Sequence, residues 1–379
     1  MVTGHPPWPT LSGGQRREFE LLRRLADRYA VEVCALDKNA APGTSGALPT
    51  GPAGGQVFAT VRAAEGADLE ARHRSPDARA WIEGRLDQGD VTLVHCEGYF
   101  LHQLLPGDLS VPVVIGAQNV EWELVEQRLL LDGHRPATVG SLLRDLRNRE
   151  LEVLRTADAV VCVTERDARV LRRHGLDPFV IPDGCDHLPV EPSTPRRVDI
   201  LLPGNFGYAP NRDAAEAFCA DVLPQLRAMR PGITMRIVGN HASRELGHLA
   251  STDVEVIGPV SSLAPHLSAA SVVAVPLRIG GGIKVKILEA LHAGAAVVCT
   301  PVAAMGFEDH DGALVVVHRW ADLHPRISAL LEHPEQLAAQ RCRGARYAQR
   351  LPRWNEMADQ LGGLWGAICD RVTEGALIR

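Results

Sequence analysis

The stretch Val275-Pro-Leu-Arg-Ile-Gly-Gly-Gly-Ile-Lys-Val-Lys-Ile-Leu-Glu-Ala-Leu-His-Ala-Gly, ending at Gly294, gathers the residues of this chain best suited to hold an anion. A buried strand is expected to end at Pro276. Gly280, Gly281 and Gly282 then let the backbone approach a ligand closely, and a helix opens near Ile283 with its unpaired first-turn amides directed at the loop. Such a turn cradles phosphate or sugar oxygens, although glycines also close ordinary loops. Lys286 and Glu289 lie three apart on that helix and share neighbouring parts of one face, while Ile287, Ala290 and Leu291 turn to the core. A cation and a carboxylate would then share one rim, with Arg278 at the strand exit as a further cation.

These groups need a scaffold, and the chain supplies one by alternation. From Ala30 onward short β-rich apolar runs alternate with helical segments, the pattern of parallel units joined by right-handed crossovers. Strands are expected at Val31–Leu36, Val57–Val61, Val91–His95, Val113–Ala117, Ala159–Thr164 and Phe179–Ile181, preceded by a very short one at Met1-Val-Thr. The alternation breaks at Pro182-Asp-Gly-Cys-Asp, and PVEPSTPRR after it reads as a linker. A second series follows at Val198–Leu202, Thr234–Val238, Val254–Ile257, Val272–Pro276, Ala296–Thr300 and Leu314–Val317, with helices from about Asn211, Leu263, Ile283 and Trp320. The fold class is therefore α/β with two doubly wound parallel sheets. The expected domains are residues 1–185, 195–350 and a final helix, 351–379, whose Trp354, Leu361, Leu364, Trp365 and Ile368 form a core-facing stripe. Ligands of such sheets bind beyond the carboxyl ends of the strands. The Gly-, Pro- and Ser-rich segment Lys38–Gly55 reads as a surface loop.

Composition removes several classes of function. The 379 residues carry a net charge of −6 with the basic residues spread along the chain, which argues against a nucleic-acid partner. Eight cysteines, none in a CxxC pair, read as small buried hydrophobes of a reducing compartment. No run approaches the roughly 20 apolar residues of a membrane span, so a cytoplasmic location is expected. Arg16, Arg17, Arg23 and Arg24 on one expected helix would allow at most a peripheral membrane contact, or merely solvate that face. The histidines are scattered, Asp309-His-Asp has no second carboxylate cluster, and no metal is expected.

PLRIGGGIKVKILEALHAGAAVVCT is similar to the donor-binding signature of retaining glycosyltransferase family 4, the group 1 glycosyltransferases of the GT-B fold. GNFGYAPNRDAAEAF at Gly204–Phe218, with VLPQLRAMRPGITMRIVGN after it, resembles the first βα unit of that family's C-terminal domain. DVEVIGPVSSLAPHLSAASVVAVPL resembles the next segment, so the resemblance runs through about Val198–Val317. In the N-terminal half HPPWPTLSGGQRREFELLRRLADRYAVEV resembles the family's opening, and AQNVEWEL at Ala117–Leu124 its second landmark.

The resemblance implies a nucleotide-diphosphate sugar as donor substrate, with no cofactor, and an acceptor that is a small molecule, a lipid-linked sugar or a glycan. Glu289 matches the second member of the family's glutamate pair and would accept hydrogen bonds from the ribose hydroxyls. The first member falls on Gly281, which implies that backbone amides around Gly280–Ile283 contact the donor, with Arg278 and Lys286 neutralising the diphosphate. Gly204 and Asn205 belong to the same donor site. Gly13 and Gly14 match the N-terminal glycine loop over the diphosphate, and the turn Gly258–Ser262 would lie near the base. Where relatives have His-Asn-x-Glu beside the anomeric carbon, this chain has Gln118-Asn119-Val120-Glu121. Glutamine orients a hydroxyl but cannot titrate. In the front-face mechanism implied for retaining members the leaving phosphate can take the acceptor's proton. Asn119 and Glu121 fall on the acceptor side, or serve as a helix cap and a first-turn charge. The donor nucleotide stays open among UDP, GDP and dTDP. A nucleotide-sugar 2-epimerase of the same fold, or a non-catalytic nucleotide-sugar-binding homologue, are the alternatives.

Overall fold

The computed structural model describes residues 1–7, 10, 12–36, 57–61, 69–188 and 198–377. The expected loop Lys38–Gly55 and linker PVEPSTPRR lie outside the described residues. The chain divides into two compact units: Met1–Thr10 with Gly14–Pro182 and Trp354–Arg379, and Leu11–Gly13 with Asp183–Arg353. Both are α/β, each built on one parallel sheet.

The first unit holds β1 (Val2–Thr3), β2 (Val33–Leu36), β3 (Val57–Val61), β4 (Val94–Glu97), β5 (Val113–Ala117), β6 (Ala159–Cys162) and β7 (Phe179–Val180), in the order β3-β2-β1-β4-β5-β6-β7. Every pairing is parallel. Strands β4, β5 and β6 are buried along their whole length, and β5 and β6 accordingly read as unbroken apolar runs, whereas β4 carries the buried His95 and Glu97. β4 begins three residues later than its Val91 expectation. Its ladder partner β5 starts only at Val113, after Pro112, whose carbonyl accepts from Val94 N at 2.9 Å. The final helix, Trp354–Leu377, buries Trp354, Leu361, Leu364, Trp365 and Ile368 against Leu21 and Leu25 of the helix Gly13–Leu25 and the back of β5 and β6.

The second unit holds β8 (Val198–Pro203), β9 (Met235–Val238), β10 (Val254–Ile257), β11 (Ala270–Val275), β12 (Ala296–Cys299) and β13 (Leu314–Val316), in the order β10-β9-β8-β11-β12-β13, again all parallel. One face of this sheet packs Phe206, Phe218, Leu226 and Ile327, and the other packs Leu267, Ile287, Leu288 and Leu291. In each sheet the order reverses beside the first strand of the unit: between β1 and β4, and between β8 and β11. The segments leaving those two strands diverge there, which opens a crevice at their carboxyl ends. Five of the eight cysteines are buried; Cys342 is exposed on the helix Pro334–Ala348, contrary to its reading as a buried hydrophobe.

Candidate functional site

Two groups of polar side chains occupy the two switch points. In the second unit β8 ends at Pro203, Gly204 N donates to Val238 O at 3.0 Å, and the chain turns into the helix Ala209–Ala217. Asn205 shapes the turn: its Oδ1 accepts from Gly207 N at 3.1 Å, and its carbonyl accepts from Asn211 Nδ2 at 2.9 Å. Lys286 comes from the other side of the crevice, on the helix Val285–His292 that follows β11, and donates from Nζ to Asn211 Oδ1 at 2.7 Å. A Cβ on residue 204 would stand 3.1 Å from that Nζ, so glycine there keeps the ammonium against backbone. Burial pulls the Lys286 amine down to about 8, with Glu289 working weakly in the opposite direction.

Glu289 lies one turn further on the same buried helix face. Its Oε1 is 2.8 Å from Nε2 of His187, whose ring is fully buried. The three glycines precede the helix, with Gly282 at φ +58, where a side chain would be strained. Lys284 caps this turn from within: its ammonium donates to the carbonyl oxygens of Gly281 and Gly282, each at 2.8 Å. The carbonyls are thereby drawn back toward the chain. Ile283 packs on the core beneath the loop. The helix starts at Val285, two residues beyond expectation, because Lys284 is extended at φ −100 and ψ 94.

Arg278 keeps other company. Its guanidinium pairs with Asp213, Nε to Oδ2 at 2.8 Å, and lies over the Trp320 ring at 5.9 Å. With Asp221, Thr300 and Trp320 it lines a cavity of about 440 Å³ beyond β11, β12 and β13. The structure thus brings Lys286, Glu289, Gly204 and Asn205 into one neighbourhood with Asn211 and His187, and gives Arg278 a carboxylate of its own.

In the first unit the switch point is filled by a chain of buried polar groups. Gln118 follows β5 and donates from Nε2 to Glu97 Oε2 at 3.0 Å, with Glu18 Oε1 at 3.4 Å from the same nitrogen. Glu97 ends β4; its Oε1 is 3.4 Å from His95 Nε2, and His95 Nδ1 accepts from Trp365 Nε1 at 3.0 Å. Glu18 Oε2 lies 3.2 Å from His5 Nδ1. Although burial works against it, the bond and charge of His95, then Arg17 and Gln118, hold the Glu97 carboxyl down at about 2. Burial pushes Glu18 upward, against the pull of His5. Gly14 sits in the first turn of the helix Gly13–Leu25, and a Cβ there would reach 2.7 Å from Gln118 Oε1.

Asn119 does not cap the helix Glu121–Leu131. The N-cap is Val120, and Glu150 provides the cap from the long helix Pro136–Thr156, accepting from Glu121 N and Trp122 N at 3.1 Å each. Asn119 Nδ2 instead donates to Glu121 Oε1 at 3.0 Å. Burial, then the nearby Glu121 carboxylate, raises Glu150 to about 8.

Several of these residues escaped the sequence reading. Glu18 had a signal: it shares the 18, 21, 22, 25 spacing of Leu21, Leu22 and Leu25, so a carboxylate stands at a core position. His187 had none, being 102 positions from Glu289. Among the described residues no group of three His, Cys, Asp or Glu side chains could hold a metal, and no helix is long and apolar enough to cross a membrane.

Residues 197–333 match the family "Glycosyl transferases group 1" and residues 11–187 match "Glycosyltransferase Family 4". No curated protein matches the chain in sequence. Among solved structures it is similar to sucrose-phosphate synthase from Thermosynechococcus elongatus, with TM-score 0.75 and 15% identity over 97% of this chain and 98% of that one. WaaG, a glycosyltransferase involved in lipopolysaccharide biosynthesis, gives TM-score 0.66 at 15% identity over 96% and 99%. Anabaena HepE, solved with UDP and glucose, gives 0.65 at 13% over 96% and 98%.

Proposed function

This chain belongs to the group 1 glycosyltransferases, and from that premise we propose that it moves a sugar from a nucleotide-diphosphate donor to an acceptor with retention of anomeric configuration. The observation that carries the donor reading is Lys286: a half-buried ammonium held by a neutral amide, beside the glycine backbone of residue 204, at a sheet's switch point. A diphosphate there would supply the counter-charge that Asn211 does not. Glu289 takes the ribose hydroxyls, its Oε1 anchored by His187 so that the carboxylate is already oriented. The backbone at Gly204, Asn205 and Gly280–Ile283 meets phosphate and sugar oxygens. Neighbours solved with UDP or UDP-glucose agree with such a donor.

No metal is needed in this reading. Lys286 balances the charge that grows on the leaving diphosphate, and front-face displacement leaves the new bond on the face of the old one. Arg278 contributes to the diphosphate only if it leaves Asp213. Gln118 holds the Glu18 and Glu97 carboxylates in place. Gly14 leaves room for the Gln118 amide, and the acceptor, a small molecule, lipid-linked sugar or glycan, binds on the first unit near Asn119 and Glu121.

The test is a thermal-shift screen with UDP, GDP, dTDP and their common sugars, since a ligand that binds only the folded state raises the melting temperature. One nucleotide should produce a clear shift that Glu289→Ala abolishes while the protein stays folded. A Glu289→Ala protein with undiminished shift would refute the donor-site assignment.

A further inference from the structure

His187 and Glu289 both belong to the second unit. Cys185 and Leu188 pack into the same apolar cluster as Ile287, Leu288 and Leu291 of the helix Val285–His292, and Cys185 N donates to Pro352 O at 3.2 Å. With the chain held on both sides, His187 sends its ring onto Glu289, and its Nε2 stands 2.8 Å from Oε1. An ionised carboxylate only accepts, so the Nε2 proton lies in that bond. The side chain of His187 has no exposure and that of Glu289 is 9% exposed. Oε1 is thus committed within the protein. Oε2 receives no hydrogen bond among the described residues, yet it is not sealed from solvent. Lys286, one turn earlier, gives its ammonium to Asn211 instead. A carboxylate so deeply buried, with one oxygen left over, is short of a donor that a ligand hydroxyl would supply.

We propose that His187 makes this site selective for ribonucleotides: by holding Oε1 it fixes the carboxylate and leaves Oε2 to accept from both hydroxyls of a ribose. The donor is then a ribonucleoside diphosphate sugar, a class that admits UDP and GDP and rejects dTDP. The proposal rests on the donor reading and sharpens it. His187 touches no substrate; it acts through Glu289 and is a positioning residue. A carboxylate free to turn would bring either oxygen to the single 3′-hydroxyl of a deoxyribose and leave water to serve the rest. One held by His187 cannot turn, and a missing 2′-hydroxyl leaves a lone pair of a nearly buried anion without a donor. A hydrogen bond to a charged group contributes roughly 10- to 150-fold in affinity. A site built around a hydroxyl rejects the analogue that lacks it for the same reason.

Calorimetry with UDP, GDP, their 2′-deoxy forms and dTDP measures the selection directly. The wild type should bind one ribonucleotide about 30-fold more tightly than its 2′-deoxy counterpart, and dTDP no more tightly than that counterpart. In His187→Leu the ratio should shrink to about threefold or less, whereas His187→Gln, which keeps an N–H donor, should hold it near the wild-type value. A histidine with a merely structural role would weaken both nucleotides alike and leave the ratio untouched. His187→Asn, whose amide stops short of the carboxylate, takes the place of His187→Leu if the latter does not fold. A wild type that binds the deoxy form within about threefold of the ribo form overturns the proposal, as does a ratio indifferent to His187. Binding of dTDP alone would overturn it while leaving a nucleotide donor standing. If none of these nucleotides binds the wild type, the donor reading itself fails and the selection falls with it.

Discussion

At the switch point of the second sheet one half-buried ammonium, Lys286, rests on a neutral amide, and Gly204 lies beside it. At that of the first sheet two buried carboxylates, Glu18 and Glu97, share the amide of Gln118, and each has a histidine at its other oxygen. The same topological feature thus carries a cation on a neutral amide in one unit and two carboxylates joined through one amide in the other. A charge without an opposite charge at hydrogen-bond distance gains when an ion of opposite sign arrives, so it serves binding. Carboxylates tied to a common donor instead contribute to the stability of their own unit.

The largest effect expected concerns the backbone that makes the second site possible. Gly239 follows β9 at φ +142, and a Cβ there would overlap the carbonyl oxygen of Gly204. Gly239→Ala should cost roughly 4 kcal/mol or more, because neither backbone segment can yield without opening the ladder between β8 and β9. Urea unfolding followed by tryptophan fluorescence measures it, and a cost below about 1 kcal/mol would mean that the close approach is not obligatory. Gly84, on the helix Pro76–Leu86 with nothing within 4 Å of its Cβ position, is the control. Alanine there should be neutral or slightly stabilising.

Next in size is the network of the first unit. Gln118→Leu removes the donor from two buried carboxylates, and about 3 kcal/mol of stability should go with it, since an orphaned buried acceptor costs its full desolvation. The loss should be full above the ordinary carboxylate range and shrink as pH falls below it, because Gln118 is one of the partners, after His95 and Arg17, that hold Glu97 down at about 2. In the sign of the linkage, a depressed carboxyl contributes stability that is whole above about 4.5 and disappears as pH falls toward 2. Nucleotide affinity should not change. If calorimetry showed an affinity loss equal to that of a second-unit variant, the division between binding charge and structural network would be wrong.

Sequence made the two sites unequally legible. The rim proposed for the donor lies in one stretch from Gly280 to Glu289, where a glycine turn and a helix face are contiguous, so spacing alone put Lys286 and Glu289 together. Central strands such as β5, β6, β11 and β12 were visible for a similar reason: parallel strands buried on two faces are plain apolar runs. The chain His5, Glu18, Glu97, Gln118, His95 and Trp365 comes from five separate places, and apart from His95 and Glu97 on β4 no local periodicity connects them. Residue chemistry warned of a loss at Gln118, a group that cannot titrate, but not that its two N–H bonds would be committed to carboxylates. Likewise the cap of the helix Glu121–Leu131 was sought in Asn119, next in sequence, when Glu150 supplies it from another helix. Local capping rules see only neighbours along the chain.

The smallest effect expected is the sharpest discriminator, because its sign differs between folding and binding. Lys286→Met removes a half-buried ammonium that desolvation has brought down to about 8. The apolar side chain has no desolvation to overcome, so stability should hold or rise, while nucleotide affinity drops by about 2 kcal/mol, roughly 30-fold. The wild type should show the same opposition in its pH dependence. A lowered amine costs stability wherever the unfolded chain holds the proton more tightly; that cost is complete below pH 8 and fades as pH rises toward 10.5. A bound diphosphate favours the ammonium, so affinity should instead fall as pH rises through 8. Near that pH about half the amines are neutral, and binding should take up about half a proton per site, measurable by calorimetry in buffers of different ionisation enthalpy. Lys286→Met should abolish that uptake. Equal uptake in the variant would assign the proton to the nucleotide phosphate, leaving the lysine as a structural cation with no part in recognising the donor.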